Sequence, residues 1–183
     1  MKRAGEDPAE PDRFESVGAA YDGFVQIGEL PVPTVAAMRG AAVGAGVNLL
    51  LATGLRIVAE DARIIGGFLR IGIHPGGVHF TLLGRLVGRE TAAAIGVFGE
   101  EISGSRAHEL HLAWEAVPDG DVEPRQSSWL GGSRPIRRCH VERLVASLRG
   151  EQGPPAVSWS AAVAMECAEQ MWSLRRQHVT PPQ

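Results

Sequence analysis

The residues best suited to chemistry lie between Leu30 and Gly88. An apolar segment, Pro31-Val-Pro-Thr-Val-Ala-Ala-Met38, runs through Gly40-Ala-Ala-Val-Gly-Ala-Gly46 into Val47-Asn-Leu-Leu-Leu-Ala52. A buried strand that turns through small residues into a helix leaves backbone N–H groups unpaired and the positive helix end facing outward. That arrangement suits an oxygen carrying negative charge. It is an anion site made of backbone, so side-chain chemistry must come from elsewhere in the chain.

Other motifs are poor carriers of chemistry. Gly40–Gly46 has neither G-x-G-x-x-G spacing nor a following Gly-Lys-Ser/Thr, which argues against a nucleotide site. His108-Glu-Leu-His111 lacks the spacing of a zinc-protease pair and reads as helix surface. Gly104-Ser-Arg and Gly132-Ser-Arg lack the flanks of a serine-hydrolase elbow. Arg134, Arg137, Arg138, Arg143 and Arg149 gather in the last third. They suit the phosphates of coenzyme A or another polyanion. More often such a run is a solvated face or an oligomer contact.

Composition narrows the class. The 183 residues are 44% apolar, enough for one cored domain, and the net charge of −3 argues against a general nucleic-acid binder. Small soluble ligands are the expected partners. Cys139 and Cys167 are too few for a disulfide framework and have no metal-ligand spacing, as in a reducing compartment. The start lacks a secretory core, and no run reaches the roughly 20 apolar residues that span a bilayer. A cytoplasmic protein without membrane or metal partners is expected.

The elements that must position the glycine turn follow from periodicity. Met1 to Glu15 reads as a frayed terminus, and Phe14 to Leu30 as an amphipathic helix stopped by Pro31 and Pro33. Thr34 to Met38 lacks polar alternation and reads as a strand buried on both faces. A helix over Val47–Thr53 is followed by an alternating strand Leu55–Ala59, the turn Glu60-Asp-Ala62 and a strand Arg63–Ile65. Helices are expected over Val78–Val87 and Arg89–Val97, and Ser103 or Ser105 is expected to cap a helix ending near His111. Leu112 to Val117 reads as a strand and Gln126 to Arg138 as a loop. Two helices, His140–Arg149 and Trp159–Arg176, flank the break Gly153-Pro-Pro155. Alternating strands and helices give an α/β architecture.

Several ordered segments together resemble one family. Leu30 to Gly46, Ala52-Thr-Gly-Leu-Arg-Ile-Val-Ala-Glu-Asp-Ala-Arg63, Leu69-Arg-Ile-Gly-Ile-His-Pro-Gly-Gly77, Leu83-Gly-Arg-Leu-Val-Gly88 and Ile102-Ser-Gly-Ser-Arg-Ala107 follow one another as in the enoyl-CoA hydratase/isomerase (crotonase) superfamily. The resemblance implies a ClpP/crotonase spiral of ββα units that lacks its amino-terminal strands. It assigns residues 1–122 to a partial crotonase-like core and 123–183 to a carboxy-terminal, oligomer-forming region.

By that resemblance the substrate is an acyl-CoA thioester, with coenzyme A as part of the substrate and no separate cofactor. Ala45 N–H stands where the family places a donor to the thioester oxygen, and Gly44 and Gly46 permit close approach. The same small residues also suit tight packing of the helix on the sheet. The two positions that carry glutamates in the family's hydratases are Asn48 and Phe68 here, and neither can act as a general base. Asn48 can still hydrogen-bond a water or a carbonyl, and Phe68 makes the pocket more apolar. After Gly76 and Gly77, His79 stands at a helix start with a near-neutral intrinsic pKa suited to proton transfer. The competing expectation for His79 is a partly exposed ring with a backbone partner.

The expected catalytic set is therefore Ala45, Asn48 and His79, and the expected substrate-binding set is Gly44, Gly46, Phe68, Gly76 and Gly77. Two functions stand side by side. One is an enoyl-CoA hydratase or isomerase of fatty-acid or related acyl-CoA metabolism. The other is a catalytically silent acyl-CoA-binding remnant. A trimer or hexamer follows by resemblance.

Overall fold

Strands come in pairs, each pair separated by a short polar or glycine link, and each pair feeds a helix. Val35–Met38 (β1) and Ala41–Val43 (β2) lead into Ala45–Leu51 (α2), while Leu55–Ala59 (β3) and Arg63–Ile65 (β4) lead into His79–Gly96 (α3). The first strands of each pair run parallel, Val35 opposite Leu55 and Met38 opposite Val58. The second strands do the same, Ala41 opposite Arg63 and Val43 opposite Ile65. Each ββα unit thus stacks on the next. Glu101–Ser103 (β5) then joins β4 antiparallel and Glu115–Val117 (β6) joins β3 parallel, giving the orders β2-β4-β5 and β1-β3-β6.

The structure is a computed structural model that describes residues 11–131, 138–152 and 159–179. Pro11–Gly28 (α1), Gly104–Glu109 (α4), Val122–Gly131 (α5), Arg138–Gln152 (α6) and Trp159–Val179 (α7) complete it. The chain is an α/β protein of stacked ββα units, as the resemblance implies. Its core is aliphatic: Val47, Ile57, Val58, Ile64, Val78, Leu83, Ile95, Leu112 and Val122 are fully buried. Burying such side chains contributes roughly 1.5–3 kcal/mol each before entropy is counted. α7 packs on α1, and α5 covers β1 and β3. The helix start of α4 lies so close to β3 that a Cβ on Gly104 would collide with the Ala59 carbonyl oxygen.

Several sequence expectations need correction. β1 begins at Val35, and its Ala37 is exposed because the strand forms a sheet edge. The strand buried on both faces is β3, which reads as alternating only because Arg56 sits within it. Arg56 is itself buried, and its guanidinium Nε and Nη1 donate to the carbonyls of Leu112 (2.6 Å) and Thr53 (2.7 Å). The glycine segment is more than a turn, since its Ala41–Val43 forms β2. The segment Gln126–Arg138 is helical through Gly131 as part of α5 and helical again from Arg138, and 132–137 fall outside the described residues. The start of the expected frayed terminus also lies outside them, but Pro11–Glu15 belongs to α1.

Leu112 and Ala113 are buried in a connection, so the strand expected from Leu112 covers only Glu115–Val117. β5 is a strand that periodicity did not single out. The two helices expected around Val87 lie within α3, broken at Gly88 with φ 75° and ψ 175°. Ser103 does cap α4, its hydroxyl accepting from Arg106 N at 3.1 Å. His108 and His111 are both exposed, but only His108 lies on α4; the helix ends at Glu109 and His111 sits in the turn beyond it, at φ 61°. α6 and α7 extend beyond the expected His140–Arg149 and Trp159–Arg176, and the Gly153-Pro-Pro155 break lies outside the described residues, as do Arg134 and Arg137. Arg149 donates to the Leu30 carbonyl and so fastens α6 to the segment after α1.

Candidate active site

α2 starts abruptly. Gly44, at φ 52° and ψ −112°, adopts a backbone that L side chains rarely take, and its N–H donates to Ile65 O at 3.0 Å. Its carbonyl accepts from Val47 N and Asn48 N. Ala45 and Gly46 follow as the first two helical residues, and both are exposed. N–H groups in a helix's first turn have no intrahelical acceptor. The glycine pattern thus opens a helix whose first two residues are exposed.

One turn further on, Asn48 points inward and is 0% exposed. Its Nδ2 donates to Gly76 O at 2.6 Å, and its Oδ1 lies 2.7 Å from Nδ1 of His79, which is likewise 0% exposed. Gly77, at φ 70°, permits this approach, since a Cβ there would stand 2.9 Å from the Tyr21 ring and 3.0 Å from Asn48 Nδ2. His79 meets neither of its two expectations in full. It is completely buried, and its imidazole partner is a side chain. Burial pushes its pKa down to about 4, so the ring is neutral. Its Nε2 has no hydrogen-bond partner among the described residues.

Phe68 packs against this pair. Its ring meets that of His79 edge-on at 5.0 Å, and its Cζ would lie 3.5 Å from a Cβ on Gly44. Phe68 therefore spans from the turn at Gly44 to the histidine. Gly76 and Gly77 do not line an opening. They are buried beneath Tyr21 of α1 and Gln170 of α7, so close that a Cβ on Gly76 would collide with the Tyr21 hydroxyl.

Three residues of this cluster had no sequence signal. Tyr21 donates to Gln170 Oε1, both being buried. Glu166 of α7 is also buried and takes the place of a missing N-cap, accepting from His79 N at 2.8 Å and Phe80 N at 3.2 Å. The local residue at that helix start, Val78, supplies no side-chain cap and holds a left-handed φ of 62°. For a β-branched residue such a backbone stores roughly 1–3 kcal/mol. The Glu166 carboxyl is pushed up to about 7 by burial, which outweighs the backbone N–H groups around it. Its separation from His79 along the chain leaves no local pattern to read.

Two clefts lie elsewhere on the surface. One, of about 610 Å³, is bordered by Glu90, Thr91, Glu101, Ser103 and Arg106. The other, of about 380 Å³, runs along α3 beside Phe80, Arg89 and Val97. Neither is lined by Ala45, Asn48 or His79. Among the described residues, no three His, Cys, Asp or Glu side chains converge as a metal site would require.

A family model described as enoyl-CoA hydratase/isomerase matches residues 4–150. A probable enoyl-CoA hydratase from Rhodobacter capsulatus is 40% identical over 121 residues, 65% of this chain and 47% of that protein. The 1,2-epoxyphenylacetyl-CoA isomerase of Escherichia coli is 34% identical over 110 residues, 60% of this chain and 42% of that one. This chain spans about half the length of such relatives. In fold it is similar to an enoyl-CoA hydratase from Mycobacterium avium subsp. paratuberculosis, with a TM-score of 0.79 at 21% identity, over 88% of this chain and 65% of that one. With ββα units stacked in this order and a glycine turn opening α2, the chain belongs to the enoyl-CoA hydratase/isomerase family.

Proposed function

We propose that the protein binds an acyl-CoA thioester, its carbonyl oxygen received by the N–H groups at the start of α2, and acts within fatty-acid or related acyl-CoA metabolism. The observation that supports this reading is the exposed Ala45-Gly46 start of α2, which follows the left-handed Gly44 and lies one turn from a buried polar cluster. Preorganised donors stabilise an enolate oxygen more than a ground-state carbonyl, and losing one typically costs roughly 3–4 kcal/mol of transition-state stabilisation. Hydration by two carboxylates is unavailable where Asn48 and Phe68 stand. The chemistry proposed is isomerase-like proton movement next to the carbonyl.

Calorimetric titration with butyryl-CoA tests the binding. Saturable binding is expected, weakened at least tenfold in Ala45→Pro, which removes one N–H at a position where helices accept proline. Equal affinity in both proteins overturns the Ala45 assignment, and no binding overturns the function. Phe68 packed on His79 also favours the silent acyl-CoA binder as a second reading. Incubation with crotonyl-CoA and trans-3-hexenoyl-CoA separates the two, since binding with no turnover of either supports the silent protein. A cytoplasmic trimer or hexamer belongs to the same proposal, with sedimentation as its test. Among the described residues no helix is long and apolar enough to cross a membrane.

A further inference from the structure

We infer that Asn48 locks His79 in the tautomer protonated at Nδ1, leaving Nε2 as a bare lone pair that acts as the site's general base. Gly76 fixes the direction of the chain of hydrogen bonds. Its carbonyl can only accept, so the Asn48 atom 2.6 Å away is the amide nitrogen and the other end of the amide is oxygen. That oxygen also only accepts, so the His79 nitrogen 2.7 Å from it must carry hydrogen. A neutral imidazole has one N–H, and it is spent on Asn48. Nε2 is left unprotonated, fully buried and without a donor among the described residues. Buried acceptors are almost always paired, and an exception at a family's ligand site calls for a ligand atom.

The surroundings hold the ring in one place. Glu166 grips the backbone N–H groups of His79 and Phe80, while the rings of Phe68 and Phe80 stand 5.0 and 5.8 Å from the imidazole. Burial keeps the ring neutral at pH 7. Phe68, between Gly44 and His79, is the side chain that yields when a thioester enters. Nε2 then takes a proton from the carbon beside the thioester carbonyl. The C–H electron pair forms the carbon–carbon double bond of the enolate, and the carbonyl π pair moves onto oxygen. The imidazolium keeps its Nδ1–H on Asn48, its Nε2 proton exchanges with water admitted when Phe68 yields, and a proton from Nε2 then returns to carbon. His79 is the catalytic residue and Asn48 a positioning residue. The choice of substrate rests on the function proposed above, whereas the tautomer does not.

Two measurements on the full chain test this. Long-range 1H–15N correlation on histidine-labelled protein at pH 7 is expected to show His79 protonated at Nδ1, with the pattern shifting in Asn48→Ala. An Nε2–H ring in the wild type overturns the inference. In D2O, butyryl-CoA is expected to exchange its α-hydrogens, at least about 100-fold more slowly with His79→Gln and about tenfold more slowly with Asn48→Ala. Circular dichroism verifies that both variants fold, and the wild-type tautomer needs neither. Thioester binding without exchange overturns the base. Failure to bind thioester overturns the function and the base role with it, and the tautomer measurement then decides the Asn48 assignment alone.

Discussion

Two buried polar sites in this molecule look alike in composition and differ in what is left over. Arg56, in the middle of β3, sends its Nε and Nη1 to the carbonyls of Leu112 and Thr53 and so ties the strand to connections on either side. His79, at the start of α3, spends one ring nitrogen on Asn48 and leaves the other without a partner. The first site closes on itself and is scaffold, while the second is one hydrogen bond short. A buried polar group that completes its bonding within the chain reports on stability. One that does not reports on something the chain expects to meet.

The largest test of that contrast is Phe68→Ala. Removing a nearly buried aromatic ring is expected to cost about 4 kcal/mol of stability, read from the urea midpoint, while uncovering His79 and speeding α-hydrogen exchange in any bound thioester. A stability loss without faster exchange means that Phe68 is only packing.

Next come the opposed pH dependences of His79 and Glu166. His79 stays neutral in the folded protein to about pH 4, whereas in the unfolded chain it protonates near 6.5. The unfolded state binds more protons in that window, so stability falls as pH drops through it. Glu166 acts in the other sense. Its folded pKa of about 7 exceeds the ordinary carboxyl value of 4.5, so its contribution is present at low pH and is lost as pH rises from about 4.5 to 7. Each effect spans on the order of 3 kcal/mol, because a tenfold change in proton affinity between the folded and unfolded chain is worth about 1.4 kcal/mol. Urea titrations across pH should show His79→Gln flattening the acid side and Glu166→Gln removing the opposite slope. Identical profiles in wild type and both variants contradict the burial of these groups.

Arg56→Met should cost about 2 kcal/mol, because it leaves the two carbonyls short of a donor but keeps much of the apolar stem. Thioester affinity should not change, and a matching loss of affinity erases the distinction between scaffold and site. The smallest effect is expected from Ser103→Ala, about 1 kcal/mol for one lost helix cap, read as a small drop in thermal midpoint.

Much of the fold is legible in order and type. The β3–β4 pair, the helix opened by the glycine turn and the cap at Ser103 follow from patterns within a few residues. Errors arise where one residue hides its burial, as Arg56 does in β3, and where short strands such as β2 and β5 carry too few residues for a period to show. In the site, Asn48 and His79 stand out individually, but their contact does not. Tyr21, Glu166 and Gln170 give no sign at all, because each acts on a partner far away in the chain.

The amino-acid order alone indicates the β3–β4 pair, the glycine turn into α2 and the cap at Ser103, since turn chemistry, glycine torsions and helix caps are set by neighbouring residues. Only the tertiary structure decides that Asn48 is committed to Gly76 and His79, that α7 caps α3 through Glu166, and that Phe68 covers the result. Those outcomes depend on which distant groups burial forces to share hydrogen bonds. In a dry interior a polar atom must find its partner wherever the fold delivers one.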